Sequence, residues 1–143
     1  MSKKLDAGRN CHCRYNLTYH LVLVTKYRHP AITDKVFSTL EKHITSILEM
    51  NKCELKALNY DIDHVHIMFS APPQVRLSTL VNNIKTVTSR MVRKEHSAWM
   101  SKFYWKPIFW SRSYYIGTIG EATIEIVERY IQNQRVLRPP IST

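Results

Sequence analysis

Cysteine, acidic residues and long apolar runs are all scarce in this chain of 143 residues. Three cysteines, Cys11, Cys13 and Cys53, are few and odd in number, which argues against a disulfide framework and fits a reducing compartment. No apolar run approaches the roughly 18 residues needed to span a bilayer. Met1-Ser2-Lys3-Lys4-Leu5-Asp6 also lacks the hydrophobic stretch of a secretory signal, so a cytoplasmic protein with no membrane partner is expected. Only 11 Asp and Glu stand against 21 Lys and Arg, a formal net charge of +10, which points to a polyanionic partner such as nucleic acid.

What is present is enough apolar matter for one core. At 44% hydrophobic and 22% charged, residues 1–143 read as a single globular domain, with flexible tails expected at 1–14 and 137–143. A domain of roughly 150 residues buries about 68–70% of its unfolded surface. No internal repeat, low-complexity tract or linker interrupts it.

The positive charge is concentrated in two blocks. Residues 1–30 hold six Lys/Arg against one acid and residues 76–112 hold eight against one, while 31–75 lean acidic and 113–143 are neutral. The second block carries Trp99, Tyr104, Trp105 and Trp110, with Tyr114 and Tyr115 just after it. Cations interleaved with flat rings suit a groove for single-stranded nucleic acid, although a solvated basic face over core aromatics has the same composition. Lys26, Arg28, Lys85, Arg90, Arg93, Lys94, Arg112 and Tyr114 are the candidate DNA contacts.

Residues 15–27 are β-branched and aromatic and predict a long strand ending near Arg28-His29-Pro30. Val36, Phe37, Leu40, Ile44, Ile47 and Leu48 then recur at three and four, predicting a helix over Asp34 to Met50. A strand around Cys53–Asn59, a turn through Tyr60-Asp61-Ile62-Asp63 and a strand from His64 to Ser70 follow. Leu80, Val81, Ile84, Val87, Met91 and Val92 predict a second helix with Ser78 as its N-cap. Trp99–Ile116 is strand-like, Gly117 and Gly120 mark turns, and a last helix spans about Ala122 to Val136. The order β-α-β-β-α-β-α predicts an α+β fold. Its antiparallel-rich sheet has about four to five strands with helices packed on one face, on the split βαβ plan of ferredoxin-like and RRM-like domains.

His64-Val65-His66 is the sharpest motif. Side chains two apart on a strand share a face, so the two imidazoles can aim at one ion while Val65, Ile67 and Phe69 face the core. Two ordinary histidines on a polar sheet face fit the same spacing. Asp61 and Asp63 stand just upstream, where a carboxylate could ligate an ion or orient an imidazole. The continuation Ile67-Met68-Phe69-Ser70 lacks the further ligands of a binuclear zinc hydrolase. Two nitrogens plus an oxygen or amide donor suit Mg²⁺ or Mn²⁺ holding a phosphate, although histidines alone would tolerate Zn²⁺. Cys11-His12-Cys13 lacks zinc spacing and an evident fourth ligand. On the last helix Ile124, Val127, Ile131 and Ile126 form the expected buried stripe, and Tyr130 and Gln134 share a face one turn apart. A tyrosine so placed is usually a core-edge aromatic.

These pieces coincide with a known family. The segments are Tyr19–Arg28, Asp63-His64-Val65-His66, Ser70-Ala71-Pro72-Pro73, the helix with Lys85 and Ser89-Arg90, Trp110–Tyr115, and Tyr130-Ile131-Gln132-Asn133-Gln134. Together, from about Tyr15 to Gln134, they resemble the HUH-class insertion-sequence transposases with a single catalytic tyrosine, the TnpA type that mobilises DNA as single strands. Asp61-Ile62 departs from the Met-Pro pair of many relatives. The resemblance implies that the C-terminal helix carries the nucleophile, Tyr130, and that His64, His66 and Gln134 bind Mg²⁺ or Mn²⁺. Asp61 and Asp63 are weaker candidates. It also implies DNA hairpins at transposon ends as partners, and a homodimer in which one subunit's tyrosine helix can serve the other's HUH site.

The chemistry that the resemblance implies is intelligible from the residue types. An unperturbed phenol, with a pKa of about 10, is a poor nucleophile until a metal polarises the scissile phosphate. Attack leaves a 5′-phosphotyrosine and a free 3′-OH, and the strand can be resealed without ATP, in keeping with a chain that has no P-loop. Two rivals stay open: a noncatalytic single-stranded nucleic-acid-binding module, and an HUH nickase of the replication-initiator or relaxase type.

Overall fold

The structure, a computed structural model, describes residues 16–137, with side chains described as far as Asn133. The expected tails and Cys11-His12-Cys13 lie essentially outside the described residues. Four strands, β1 (Leu17–Thr25), β2 (Glu54–Asp61), β3 (His64–Ala71) and β4 (Trp110–Ile119), form a sheet in the order β2-β3-β1-β4. Each neighbouring pair is antiparallel. Helices α1 (Asp34–Met50), α2 (Leu77–Glu95), α3 (Ser97–Met100) and α4 (Ile124–Leu137) complete the fold.

Helix α1 occupies the span that its apolar spacing predicts. Thr33 caps it by accepting a hydrogen bond from Val36 N at 3.1 Å, and Asp34 places a negative charge on the positive end of the helix dipole. Its buried stripe, Val36, Leu40, Ile44 and Leu48, meets Leu80, Val81 and Ile84 of α2 in the main core. Leu21 and Leu23 of β1 and Val65, Ile67 and Phe69 of β3 line the sheet side of that core, and all five are fully buried. At about 1.5–3 kcal/mol per buried large apolar side chain, this layer supplies most of the stability.

The alternation that buries those residues turns their neighbours to the other face. There His20, Val22 and Val24 of β1 lie beside His64, His66 and Met68 of β3. Helix α4 covers part of this second face, where Ile131 packs with Ala57 and Met68, and Ile119, Ile124 and Val127 flank them. Helices α1 and α2 thus share one face, as expected, and α4 alone takes the opposite one.

Several boundaries differ from the sequence expectation. Strand β1 stops at Thr25 because Lys26–Arg28 coil into a 3-10 turn, with Tyr27 at φ 59° and Arg28 at φ 53°. Thr25 holds that turn by donating from Oγ1 to the His29 carbonyl at 2.8 Å. Strand β2 runs on to Asp61, leaving only Ile62 and Asp63 as the hairpin turn. Helix α2 starts at Leu77, so its N-cap is Arg76, not Ser78, and a turn closed by Val75 N to the Pro72 carbonyl at 3.1 Å sets that early start.

The strand-like stretch Trp99–Ile116 divides into α3, a loop and β4. Two of its aromatics are anchors held by distant backbone: the half-buried Trp99 of α3 donates from Nε1 to the Ala31 carbonyl and the buried Tyr104 of the loop from Oη to the Lys26 carbonyl, each at 2.9 Å. Gly117 lies inside β4 opposite His20, and the turn falls at Gly120, whose carbonyl accepts from Thr123 N. Ile126, expected in the buried stripe of α4, is 63% exposed.

Candidate active site

The sheet ladder sets the geometry of the second face. His66 pairs with Asn59 of β2 on one side and Val22 of β1 on the other, and Val22 pairs in turn with Tyr115 of β4. His64 and His66 share this face, with ring centroids 4.9 Å apart and planes nearly perpendicular. Tyr130 reaches the same place from α4, its ring centroid 6.4 Å from that of His66 in an edge-to-face arrangement. His66 is buried, at 8% exposure, whereas Tyr130 is 55% exposed and open to a large substrate. The structure therefore brings together His64, His66 and Tyr130. Gln134 lies one turn further along α4, and its side chain is outside the described residues.

Each imidazole is held through Nδ1. His64 Nδ1 meets Asp63 Oδ1 at 2.8 Å, and His66 Nδ1 meets His20 Nε2 at 2.9 Å with the two rings stacked. Such contacts set ring orientation and leave Nε2 of each ring outside them. Burial, then the neighbouring His64 and His20, pushes His66 down to about 4, so it is neutral at physiological pH, as a ligand must be. Burial also lowers His20. Asp63 is pulled up by burial, but its hydrogen bonds to His64 and Arg28 and their charges outweigh this and hold the carboxyl below its usual range.

This donor set fits a divalent ion: two oriented imidazoles, one of them held neutral. Among the described residues no three His, Cys, Asp and Glu side chains are arranged to hold a metal ion together, so a third protein donor would be of another type, as the Gln134 amide is. Asp63 is committed to His64 and to Arg28 Nε, 3.1 Å away, which suits it to orienting rather than ligating. Asp61, opposite His64 in the ladder, accepts from Ile62 N and favours the charged form of His66.

The candidate DNA contacts divide by environment. Lys85 turns inward, donating to the Ser111 carbonyl at 2.8 Å and the Arg112 carbonyl at 3.2 Å, and lies over the Tyr114 ring. Its burial, then the charge of Lys26, lowers its pKa. Arg93 donates to Ser89 Oγ, and both line a cleft with Asn82 and Lys85 between α2 and the segment leading into β4. Arg90, Lys94 and Arg112 are exposed, Lys26 and Tyr114 are half-buried, and Arg28 pairs with Asp63.

Two residues of this face carry little signal in the sequence. His20 could have been placed here only by extending the β1 alternation to a particular register. Asn59 donates from Nδ2 to the Ile131 carbonyl at 2.9 Å and the Gln132 carbonyl at 3.3 Å, tying the helix of Tyr130 to the strand beside His66.

Comparison with known proteins specifies the family of this four-stranded antiparallel sheet with a histidine pair and a tyrosine helix on one face. Residues 13–134 match the model of the IS200-like transposases. The chain is 31% identical over 120 residues to the ISDra2 transposase TnpA of Deinococcus radiodurans, covering 84% of this chain and 85% of that one. It is 28% identical over 129 residues to the transposase for insertion sequence element IS200 of Salmonella typhimurium, covering 90% and 84%. Among solved structures, a Deinococcus radiodurans chain described as a transposase superposes with a TM-score of 0.68 at 32% identity, covering 85% of this chain and 92% of that one. A REP-associated tyrosine transposase bound to a REP hairpin shares the fold, with a TM-score of 0.62 at 15% identity over 95% and 73%. The chain belongs to the IS200-like transposase family, whose activity is the cleavage and transfer of DNA.

Proposed function

We propose that this transposase cuts single-stranded DNA through Tyr130, forming a 5′-phosphotyrosine, and rejoins strands at a site where His64, His66 and Gln134 hold Mg²⁺ or Mn²⁺. The observation that carries this reading is the exposed Tyr130 ring 6.4 Å from the buried His66 on one sheet face. When bound, the ion would polarise the scissile phosphate and stabilise its developing charge. Tyr130 Oη attacks phosphorus, so that a P–Oη bond forms as the P–O3′ bond breaks. The phenolic proton passes to solvent, and the departing 3′-oxygen takes one up to become a hydroxyl. Resealing runs the same exchange backwards, with the 3′-OH of another strand as the attacking group. Asp63 and Arg28 keep His64 oriented, and Asn59 keeps the backbone after Tyr130 against the sheet.

The hairpin seen with the REP-associated transposase supports hairpins at transposon ends as the DNA partner, with Arg90, Lys94 and Arg112 as exposed cations for phosphates. A homodimer in which one subunit's tyrosine helix can serve the other's histidine pair belongs to the same reading. Incubation with a single-stranded end oligonucleotide and Mg²⁺ should give a covalent adduct that EDTA prevents and Tyr130→Phe lacks. An undiminished adduct in Tyr130→Phe would refute the assignment. Complete absence of an adduct in wild-type protein would favour a noncatalytic binding module, and cleavage without joining would favour a nickase.

A further inference from the structure

We infer that His20 is a positioning residue for the active site: its Nε2 accepts the hydrogen that His66 carries on Nδ1, which fixes His66 in the tautomer whose Nε2 lone pair can hold an ion. The inference rests on the metal-site reading above. The two nitrogens are 2.9 Å apart, and the rings stack with centroids 5.2 Å apart and planes 23° from parallel. One hydrogen lies between them, so its owner decides both tautomers. With the hydrogen on His66, Nε2 of that ring bears a lone pair and His20 carries its own hydrogen on Nδ1. With the hydrogen on His20, His66 accepts at Nδ1 and its remaining hydrogen sits on Nε2, where it would block an ion.

The fold holds this pair in place. His20 pairs with Met68 on β3 and Gly117 on β4, while His66 pairs with Val22, so the rings meet diagonally across the β1–β3 ladder, with β4 paired along the other edge of β1. Gly117 leaves the ground beside His20 clear: a Cβ there would strike the Tyr115 phenol, which lies over the glycine. The Tyr115 ring in turn meets the edge of His20 at 6.0 Å. His20 is thus flanked by the His66 and Tyr115 rings. The two histidines of the motif are then oriented by different groups, a carboxylate for His64 and an imidazole for His66. A second carboxylate would add negative charge beside a DNA phosphate, whereas a neutral imidazole orients His66 without it.

Nitrogen-15 spectra of the metal-free protein read the tautomer directly. Wild-type His66 should show Nδ1 protonated and Nε2 bare. Replacing His20 by leucine should abolish that preference and weaken Mn²⁺ binding, followed by calorimetry, about 10- to 100-fold. His20→Gln, which keeps an acceptor near Nε2, should stay close to wild type, and urea unfolding of both variants shows whether the fold is intact. Unchanged Mn²⁺ affinity in a folded His20→Leu protein overturns the inference alone. Wild-type protein that takes up no Mn²⁺ overturns the metal-site reading and the inference with it. If His20→Leu fails to fold, the wild-type tautomer decides: hydrogen on His66 Nε2 overturns the assignment.

Discussion

Replacing Ile131 with alanine should release α4 from the sheet and leave the sheet folded. Ile131 is fully buried, and its partners Ala57 and Met68 belong to a cluster that shares no buried residue with the main core. Truncating a buried isoleucine to alanine costs about 2–5 kcal/mol, and at 1.4 kcal/mol per factor of ten even the low end is roughly 25-fold. Little else offsets that loss: the half-buried Ile119, Ile124 and Val127, and the two Asn59 hydrogen bonds at about 0.5–1.5 kcal/mol each. Amide hydrogen exchange separates the two layers. Amides of α4 up to Asn133 should exchange at least about 25-fold faster in Ile131→Ala, while those of β1 and β3 keep their protection. Asn59→Ala should act in the same place with a smaller effect, roughly 2- to 10-fold. Unchanged exchange in α4, or simultaneous loss in α4 and β3, would refute this division into a stable sheet and a lightly held helix.

Other predictions concern charge and buried hydrogen bonds. The folded pKa of His66, about 4, lies below the ordinary 6.5 of imidazole, so the folded protein binds fewer protons between those values. Stability should be full above pH 6.5, fall by up to about 3 kcal/mol on acidification to pH 4 and then level, as far as His66 is concerned. His20 adds to that trend with the same sign. Urea midpoints across this range check it, and a flat profile would contradict it. Thr88→Val removes the acceptor of the buried Trp110 indole N–H, 2.9 Å away, and should cost about 1–3 kcal/mol in unfolding followed by tryptophan fluorescence. A neutral result would mean the indole finds another partner. In single-strand binding followed by anisotropy, Arg90→Ala should flatten the log–log salt slope by about 0.7, whereas Lys85→Ala should leave it unchanged, because Lys85 is spent on two backbone carbonyls. Equal flattening by both would return Lys85 to the DNA surface.

Local periodicity carried the fold a long way. The apolar spacing of α1 and the strand around His64-Val65-His66 need only neighbours in sequence, and both lie where their pattern puts them. The aromatic run from Trp99 misleads because rings that anchor a short helix and a loop have the same composition as rings in a strand. Trp99 and Tyr104 reach partners 68 and 78 residues away, distances that no window of periodicity spans. The site shows the same limit. The histidine pair is local and was legible, while the contacts of His20 with His66 and of Asn59 with α4 cross 46 and 72 residues and exist only once strand order and register are fixed. Gly117 reads as a turn for a related reason, since its use is to make room for Tyr115 on an interior strand position.

Mapping the covalent linkage tests the central claim most directly. Wild-type protein is allowed to cleave a single-stranded end oligonucleotide, digested with protease and nuclease, and the modified peptide is sequenced by mass spectrometry. The 5′-phosphate should be found on Tyr130 of α4, with the released fragment ending in a 3′-OH. Phosphate on another residue, such as Tyr115 or Tyr27, or a 3′-phosphate linkage, would contradict the account.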